Sequence, residues 1–430
     1  MYDLLIVGGG MVGASLARAL DGCGLHIGVI EAALRTAAVQ PSYDERVIAL
    51  SLGSQRILQG MGVWGAMAEA SAPIRHIHIS DRGHFGFAHL DAADEGVPAL
   101  GYVTPARVIG QALLAGNDRQ GDLDWHCPAR LLGLTPGDDR VRVRIDRAGE
   151  SAELETRLLV AADGGDSTVR QMLGLGTRDW DYAQTAIIAN VRSHISPGER
   201  AYERFTDTGP LALLPLADGR CALVWTTRHD QVEGILGLED TAFLAALQER
   251  FGYRLGRFLE AGRRSAYPLR LRRLSPAVHG RVVFIGNAAH SIHPVGGQGY
   301  NLGLRDVAVL AEGLARAARQ GGDAGDPGLL RAYEARRAPD QRRIALITDL
   351  LARGFANPLP PLRWARDLGL LALDLAPPAK HRVNRQFMGL LGPLPRLARG
   401  LHLGRDCRPD EADARTRPNP SLQEANEQTP

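Results

Sequence analysis

The chain has 430 residues, 45% apolar and 23% charged, enough for a large core and more than one subdomain, so the chain as a whole is neither a disordered segment nor a fibre. Fifty Lys and Arg against 48 Asp and Glu leave a net charge of +2, without the basic excess that a nucleic-acid surface carries. Lys380 is the single lysine, so a P-loop ending in Gly-Lys-Ser/Thr is excluded and Schiff-base chemistry is confined to one residue near the C-terminus. At the N-terminus, Asp3 stands where a signal peptide would be basic, and no run reaches the roughly 18 apolar residues of a membrane span. Cys23, Cys127, Cys221 and Cys407 are far apart and predict neither a zinc site nor a disulfide framework. These features predict a cytoplasmic chain, soluble or peripheral to the inner membrane.

In chain order, Leu4 to Val7 reads as a buried strand, and Gly8, Gly10 and Gly13 follow at G-x-G-x-x-G spacing before a helix over Ala14–Leu20. Such glycines allow a tight turn and close approach of a pyrophosphate, which the helix N-terminus then binds. A second strand, His26 to Ile30, ends in Glu31, about 20 residues beyond the glycines, where a carboxylate accepts hydrogen bonds from ribose hydroxyls. This predicts a dinucleotide site without separating NAD from FAD.

Ile74 to Ser80 alternates like a half-buried strand, placing His76 and His78 on one face, where solvation alone accounts for them. Leu158 to Ala162 is an apolar strand running into Asp163-Gly164 and a polar turn with Ser167 and Arg170. Arg200 to Thr227 reads as antiparallel strands, with Asp218-Gly219 turning between Ala212–Leu216 and Cys221–Trp225. Arg281 to Ile285 is a buried strand emptying into a glycine-dense loop, with a helix expected from about Asn301. In that loop, backbone N–H groups and the helix dipole suit an electron-rich acceptor such as the N1–C2=O edge of a flavin.

Towards the C-terminus, Leu362 to Ala376 forms an amphipathic helix on which Arg363, Asp367 and Asp374 share one sector and Trp364, Leu368, Leu371 and Leu375 form a stripe. Arg382 to Leu403 adds Phe387, Met388, Leu390, Leu391, Leu394 and Leu397 among arginines. Two uses are open for these helices: packing on the body or on a neighbouring subunit, and contact with anionic lipid. The composition of residues 406–430 predicts a disordered tail.

The three glycine-bearing segments, in this order, resemble the group A FAD-dependent monooxygenases, of the p-hydroxybenzoate hydroxylase type. The run His293-Pro-Val-Gly-Gly-Gln-Gly-Tyr-Asn-Leu-Gly-Leu-Arg-Asp306 is similar to the signature of their ubiquinone-biosynthesis branch. Within that branch, Ser80–Leu90 and Tyr202–Pro215 resemble the enzymes acting on 2-polyprenyl-6-methoxyphenol. The resemblance runs from about Tyr2 to Ala356 and implies an α/β fold: a Rossmann-like FAD-binding domain (1–72, 101–180, 276–345), an inserted antiparallel-sheet substrate domain (73–100, 181–275) and a C-terminal helical region (346–405).

By position, the resemblance assigns Gly8, Gly10, Gly13 and Glu31 to the ADP half of FAD and Arg46 to the flavin side. It assigns Asp163 and Gly164 to FAD and NAD(P)H contacts, and Gly286, Asn287, Pro294, Gly297, Gln298, Gly299 and Asn301 to the flavin loop. Asn287 departs from the family's aspartate, yet its amide oxygen still accepts a ribityl hydroxyl. Pro294 reads as loop-shaping. No metal is expected, since His290-x-x-His293 has no third ligand and reads as loop structure.

The implied reaction uses NAD(P)H to reduce FAD and O2 to form a C4a-hydroperoxide, which hydroxylates the polyprenyl phenol para to its hydroxyl. A general base would assist, and the sequence does not identify it. Membership of a ubiquinone-biosynthesis complex is a further expectation, with oligomeric state open. The alternatives are a flavin-dependent isoprenoid reductase, which shares the glycine turns, and a flavin-loaded scaffold or lipid-handling subunit.

Overall fold

The computed structural model describes residues 1–34, 46–115, 122–356 and 360–404. The expected tail over 406–430 and Cys407 lie outside these residues, as does the side chain of Arg363.

An eight-stranded sheet forms the first layer. Its main path runs Val278–His279, Val282–Phe284, Glu150–Ala161, Tyr2–Val7, Ile27–Ile30 and Leu123–His126. Tyr2–Val7 is parallel to both of its neighbours and buried on both faces, which is why it reads as a continuous apolar run. Helices Met11–Ala19, Ala106–Leu114 and Gln298–Arg319 cover one face in a core that includes Leu4, Ile6, Leu16, Ile109, Leu304 and Leu310. Val7, Val141, Val143, Leu159 and Phe284 belong to a second core.

The second layer is a nine-stranded sheet in the order His290–Ser291, Ser265–Arg273, Arg178–Ser193, Cys221–Arg228, Gly209–Pro215, Arg200–Thr206, His76–Asp81 and Phe87–Asp91, with Phe258–Ala261 at the side. Its central strands alternate between two faces, with Tyr202 also reaching the cleft lining. Tyr202, Leu211, Leu213, Leu223 and Trp225 pack against Phe243, Leu247 and Phe251 of helix Asp240–Phe251, while Ala201, Glu203, Pro210, Ala212, Leu214, Val224 and Thr226 line a cleft. A three-stranded sheet, Val47–Ser51, Gly101–Pro105 and Ala72–Ile74, completes the strands.

Four sequence expectations change. The single strand over Ile74–Ser80 is broken at Arg75, whose N–H bonds the Glu199 carbonyl at 2.8 Å, so Ile74 and His76 belong to different sheets. His78 is buried rather than solvated, and hydrogen-bonds His89 at 2.9 Å. The helix expected near Asn301 begins at Gln298, directly after Gly296 and Gly297 in left-handed conformation. Arg382–Leu403 is not one amphipathic helix: helix Pro377–Phe387 ends at the Met388–Gly389 turn, and Met388, Leu390 and Leu397 enter the core with Leu52, Leu58 and Leu100.

Helix Pro360–Leu375 has the expected stripe but faces the opposite way from an ordinary surface helix. Its polar sector docks on the protein: Asp367 accepts from the Gly86 N–H at 3.2 Å and Asp374 from the His89 N–H at 2.8 Å. Trp364, Leu368 and Leu375 are 62%, 58% and 80% exposed. The two carboxylates satisfy donors on and beside the edge strand Phe87–Asp91, which would otherwise present open backbone groups.

Candidate functional site

A cleft of about 970 Å³ separates the ends of the parallel strands from the cavity face of the large sheet. Its first wall is the turn after Tyr2–Val7. Gly8 has φ +101°, and a Cβ there would strike the Ala162 carbonyl and Asp163, so the first glycine turn and the Asp163 loop close on each other. A Cβ at Gly13 would overlap the Gly8 carbonyl, which is what brings helix Met11–Ala19 down onto the strand. The helix begins at Gly10 with no side-chain cap, and Gly10 and Met11 line the cleft. Glu31 accepts from the Gly9 N–H at 2.6 Å and the Ala33 N–H at 2.8 Å, which fixes its carboxylate at the rim.

The second wall is Asp163-Gly164. Asp163 Oδ2 accepts from the Val169 N–H at 3.2 Å, while Oδ1 is buried without a hydrogen-bond partner. Ser167 caps the short helix that follows by accepting from the Arg170 N–H. The Arg170 guanidinium then donates to the carbonyls of Gly165 at 2.6 Å and Ala288 at 3.0 Å, tying this turn to the third segment.

The third wall is the loop over residues 286–299. Asn287 is exposed into the cleft, and Pro294, Gly296, Gly297 and Gly299 also line it. Helix Gln298–Arg319 starts from left-handed Gly297 without a side-chain cap, so two uncapped helix N-termini border one space. Beneath the loop, Asp306 accepts from the Gly286 N–H, Gln341, His290 at 2.6 Å and Arg337 at 2.8 Å. Burial opposes its charge, but His290 and Arg337 outweigh that and hold the carboxyl far below its usual range.

Of the residues expected to bind cofactor, Gly8, Gly10, Glu31, Arg46, Asp163, Gly164, Asn287, Pro294, Gly297 and Gly299 line the cleft. Gly13 and Gly286 lie behind it, each pressed against a neighbour: Gly13 on Gly8, Gly286 on Val12. The Gln298 and Asn301 side chains are spent on the protein. Gln298 bonds Gly296, Phe387 and Arg305, and Asn301 bridges Ser51, Ala49 and Gly297 at 2.9, 2.8 and 2.7 Å. His290 is committed to Asp306, and His293 is buried on the Tyr182 ring, where desolvation lowers its pKa to about 4 and leaves it neutral. Among the described residues, no group of three or more His, Cys, Asp or Glu is placed to hold a metal ion.

The cover of the cleft is the large sheet. Arg46 lines it with its guanidinium 5.0 Å from the Tyr267 ring centroid. Between Ala201 and Phe205, Glu203 places a carboxyl in a mainly apolar sheet face that also carries Thr226 and the Arg366-paired Asp81, and burial pushes its pKa up to about 7. Sequence reading does not single out Glu203; the available signal is a charged residue in phase with Ala201 and the inward residues of the following strand.

These features fit FAD. The uncapped helix N-termini suit its pyrophosphate and the reducible end of the flavin, Glu31 suits a ribose, and the unpartnered Asp163 oxygen lacks the donor that a sugar or ribityl hydroxyl provides. The FAD binding domain family matches residues 1–346. A ubiquinone hydroxylase of Rhodospirillum rubrum is 41% identical over 404 residues, covering 93% of each chain. The 3-demethoxyubiquinol 3-hydroxylase of Escherichia coli is 35% identical over 394 residues, covering 90% of this chain and 98% of that one. The fold is shared with p-nitrophenol 4-monooxygenase from Pseudomonas putida, at a TM-score of 0.75 and 18% identity over 90% of this chain and 98% of the other. The chain belongs to the FAD-binding family, in the group A monooxygenase branch of the ubiquinone hydroxylases, and is an FAD-dependent hydroxylase with NAD(P)H as the family's reductant.

Proposed function

We propose that this hydroxylase acts on the ring of a polyprenyl phenol in ubiquinone biosynthesis, and that its substrate is 2-polyprenyl-6-methoxyphenol, hydroxylated para to the existing hydroxyl. The observation that carries the reading is the two-sided cleft: glycine turns and helix N-termini on one wall, and a mainly apolar sheet face bearing the Glu203 carboxyl on the other. Bound FAD, reduced by NAD(P)H, supplies the activation of O2 and the transfer of one oxygen atom. The chain's own residues do the rest. Gly8, Gly10 and Glu31 hold the ADP half, with Gly13 letting the helix close onto the Gly8 turn, Asp163 and Asn287 receive hydroxyl donors, and Arg46 and the 294–301 loop shape the flavin end. Ala201, Ala212, Leu214 and Val224 exclude water and accept an apolar ring.

A neighbouring ring position is the second reading, favoured by the 35% identity to a 3-demethoxyubiquinol 3-hydroxylase. Complementing strains blocked at separate ring hydroxylations, with products identified by mass, separates the two. The first reading expects restoration of the methoxyphenol step with a gain of one oxygen; restoration of the demethoxyubiquinol step alone supports the second. A gain of two hydrogens instead would indicate an isoprenoid reductase.

A peripheral membrane contact belongs to the same proposal. Among the described residues, no helix is long and apolar enough to cross a membrane. The outward Trp364, Leu368 and Leu375, with Phe85 at 5.8 Å from the Trp364 ring, supply an apolar ridge suited to the bilayer interface where a polyprenyl chain resides.

A further inference from the structure

We propose that Glu203 is the group that receives the proton of the substrate's ring hydroxyl. The inference rests on the phenol reading above and adds the general base.

Glu203 lies in strand Arg200–Thr206, in register with Ile79 on one side and Ala212 on the other, and Ala212 is in register with Val224. Its side chain has neither a hydrogen-bond nor an ion-pair partner among the described residues, although it lines the cleft. The other ionisable residues lining that space are Glu31, Arg46, Arg130, Asp163, Tyr202 and Tyr300. In the two flanking strands and its own, His78 and Arg204 are one residue out of phase and so belong to the opposite face, while Asp81, in register with Phe205, shares Glu203's phase and is paired with Arg366 at 3.2 Å. Glu203 is half-buried with its carboxyl open to the cleft, so a donor that enters the cleft can bond it and offset the cost of its charge there. A ring hydroxyl is a donor of the right kind, and the apolar residues around Glu203 are suited to the ring that carries it.

Burial alone pushes the carboxyl up to about 7. Proton transfer from a phenol of pKa about 10 is then uphill by about a thousandfold, against roughly 300 times more for an ordinary carboxyl near 4.5. In the step, the phenol O–H bond breaks, its proton goes to a Glu203 oxygen, and the electron pair left behind conjugates into the ring, enriching its ortho and para carbons. As the carbon–oxygen bond forms, the O–O bond of the oxygen donor that bound FAD, NAD(P)H and O2 would supply breaks, its second oxygen leaving with the electron pair and taking a proton from water, and the attacked carbon then loses its own proton to water. Glu203 then returns the stored proton to the first oxygen, so the catalyst is regenerated and the ring is aromatic again.

The test uses the FAD-loaded full chain without NAD(P)H, with 4-fluoro-2-methoxyphenol as probe and ¹⁹F NMR as readout. With the wild type, the bound fluorine signal should titrate with a midpoint near 7. In Glu203→Gln the midpoint near 7 should vanish and the probe should bind about tenfold more weakly, while Glu203→Asp should keep a displaced midpoint. Turnover by Glu203→Gln should fall about 100-fold or more at pH 8 and lose its rise with pH through 7. An unchanged midpoint and pH profile in Glu203→Gln overturns the proposal. Should Glu203→Gln fail to retain FAD, Glu203→Asp carries the test, and wild-type values in that variant overturn it. Absence of probe binding to the wild type overturns the phenol reading and this proposal with it, which separates the two failures.

Discussion

Glu203, half-buried, and Asp306, fully buried, are carboxyls in opposite surroundings, and each makes a prediction. Asp306 is surrounded by donors and cations, so it stays ionised; Glu203 is desolvated on a mainly apolar face, so it holds its proton to about pH 7. For Glu203, below about pH 4.5 folded and unfolded chains are both protonated and Glu203→Gln should be near neutral. Between 4.5 and 7 the unfolded carboxyl ionises first, so the wild type loses stability as pH rises; above 7 the variant should be the more stable by at most about 3 kcal/mol. Urea unfolding at pH 4 and pH 8 checks this, and a variant equally stable relative to wild type at both pH values contradicts it. Asp306→Asn should act in the other direction. It leaves Arg337 buried beside a neutral amide and weakens the hold on Gly286, at a cost of about 3–5 kcal/mol. Thermal unfolding of the purified variant, with its flavin absorbance, measures both effects.

Among the elements, helix Pro360–Leu375 shows what a helical wheel can and cannot say. The stripe of Trp364, Leu368 and Leu375 is legible in sequence at helical spacing, but which face meets protein depends on a strand nearly 300 residues earlier whose edge donors need acceptors. Glu203 is hidden for a related reason, because its surroundings come from strands His76–Asp81 and Gly209–Pro215. The glycine turns are legible because their requirement is local: a positive φ at Gly8, a close helix at Gly13. Gln298 and Asn301 share the glycine loop's motif but turn away from the cleft, since motif membership does not distinguish a ligand from a brace. Replacing Trp364, Leu368 and Leu375 together by Gln should leave the fold intact, as these side chains are mostly exposed, and should reduce co-sedimentation with anionic liposomes several-fold. Deleting the whole region is a poorer experiment, because Met388, Leu390 and Leu397 would leave the core. Unchanged sedimentation of the triple variant would point to a protein partner or a second copy on this ridge.

Across the whole molecule, the cleft proposed for FAD is assembled from three segments centred near residues 10, 163 and 290 and covered by a sheet whose strands interrupt them. No single segment can form it, so occupancy and global stability should be coupled. Arg170, joining the Gly165 and Ala288 carbonyls, and Asp306, joining Gly286 to helix Pro327–Ala356 through Arg337, are the ties between segments. FAD at about 100 times its Kd should therefore add about 2.7 kcal/mol to the unfolding free energy of the wild type. Gly13→Ala should retain most of the apo structure yet lose that increment, because the new methyl pushes helix Met11–Ala19 away from the Gly8 turn and spoils one of the two helix N-termini bordering the cleft. Arg170→Met should lose part of it by loosening a tie without touching the cleft wall. Unfolding curves with and without added FAD for the three proteins measure the increments, and an undiminished increment in Gly13→Ala would show that the first glycine turn is not where the cofactor is held.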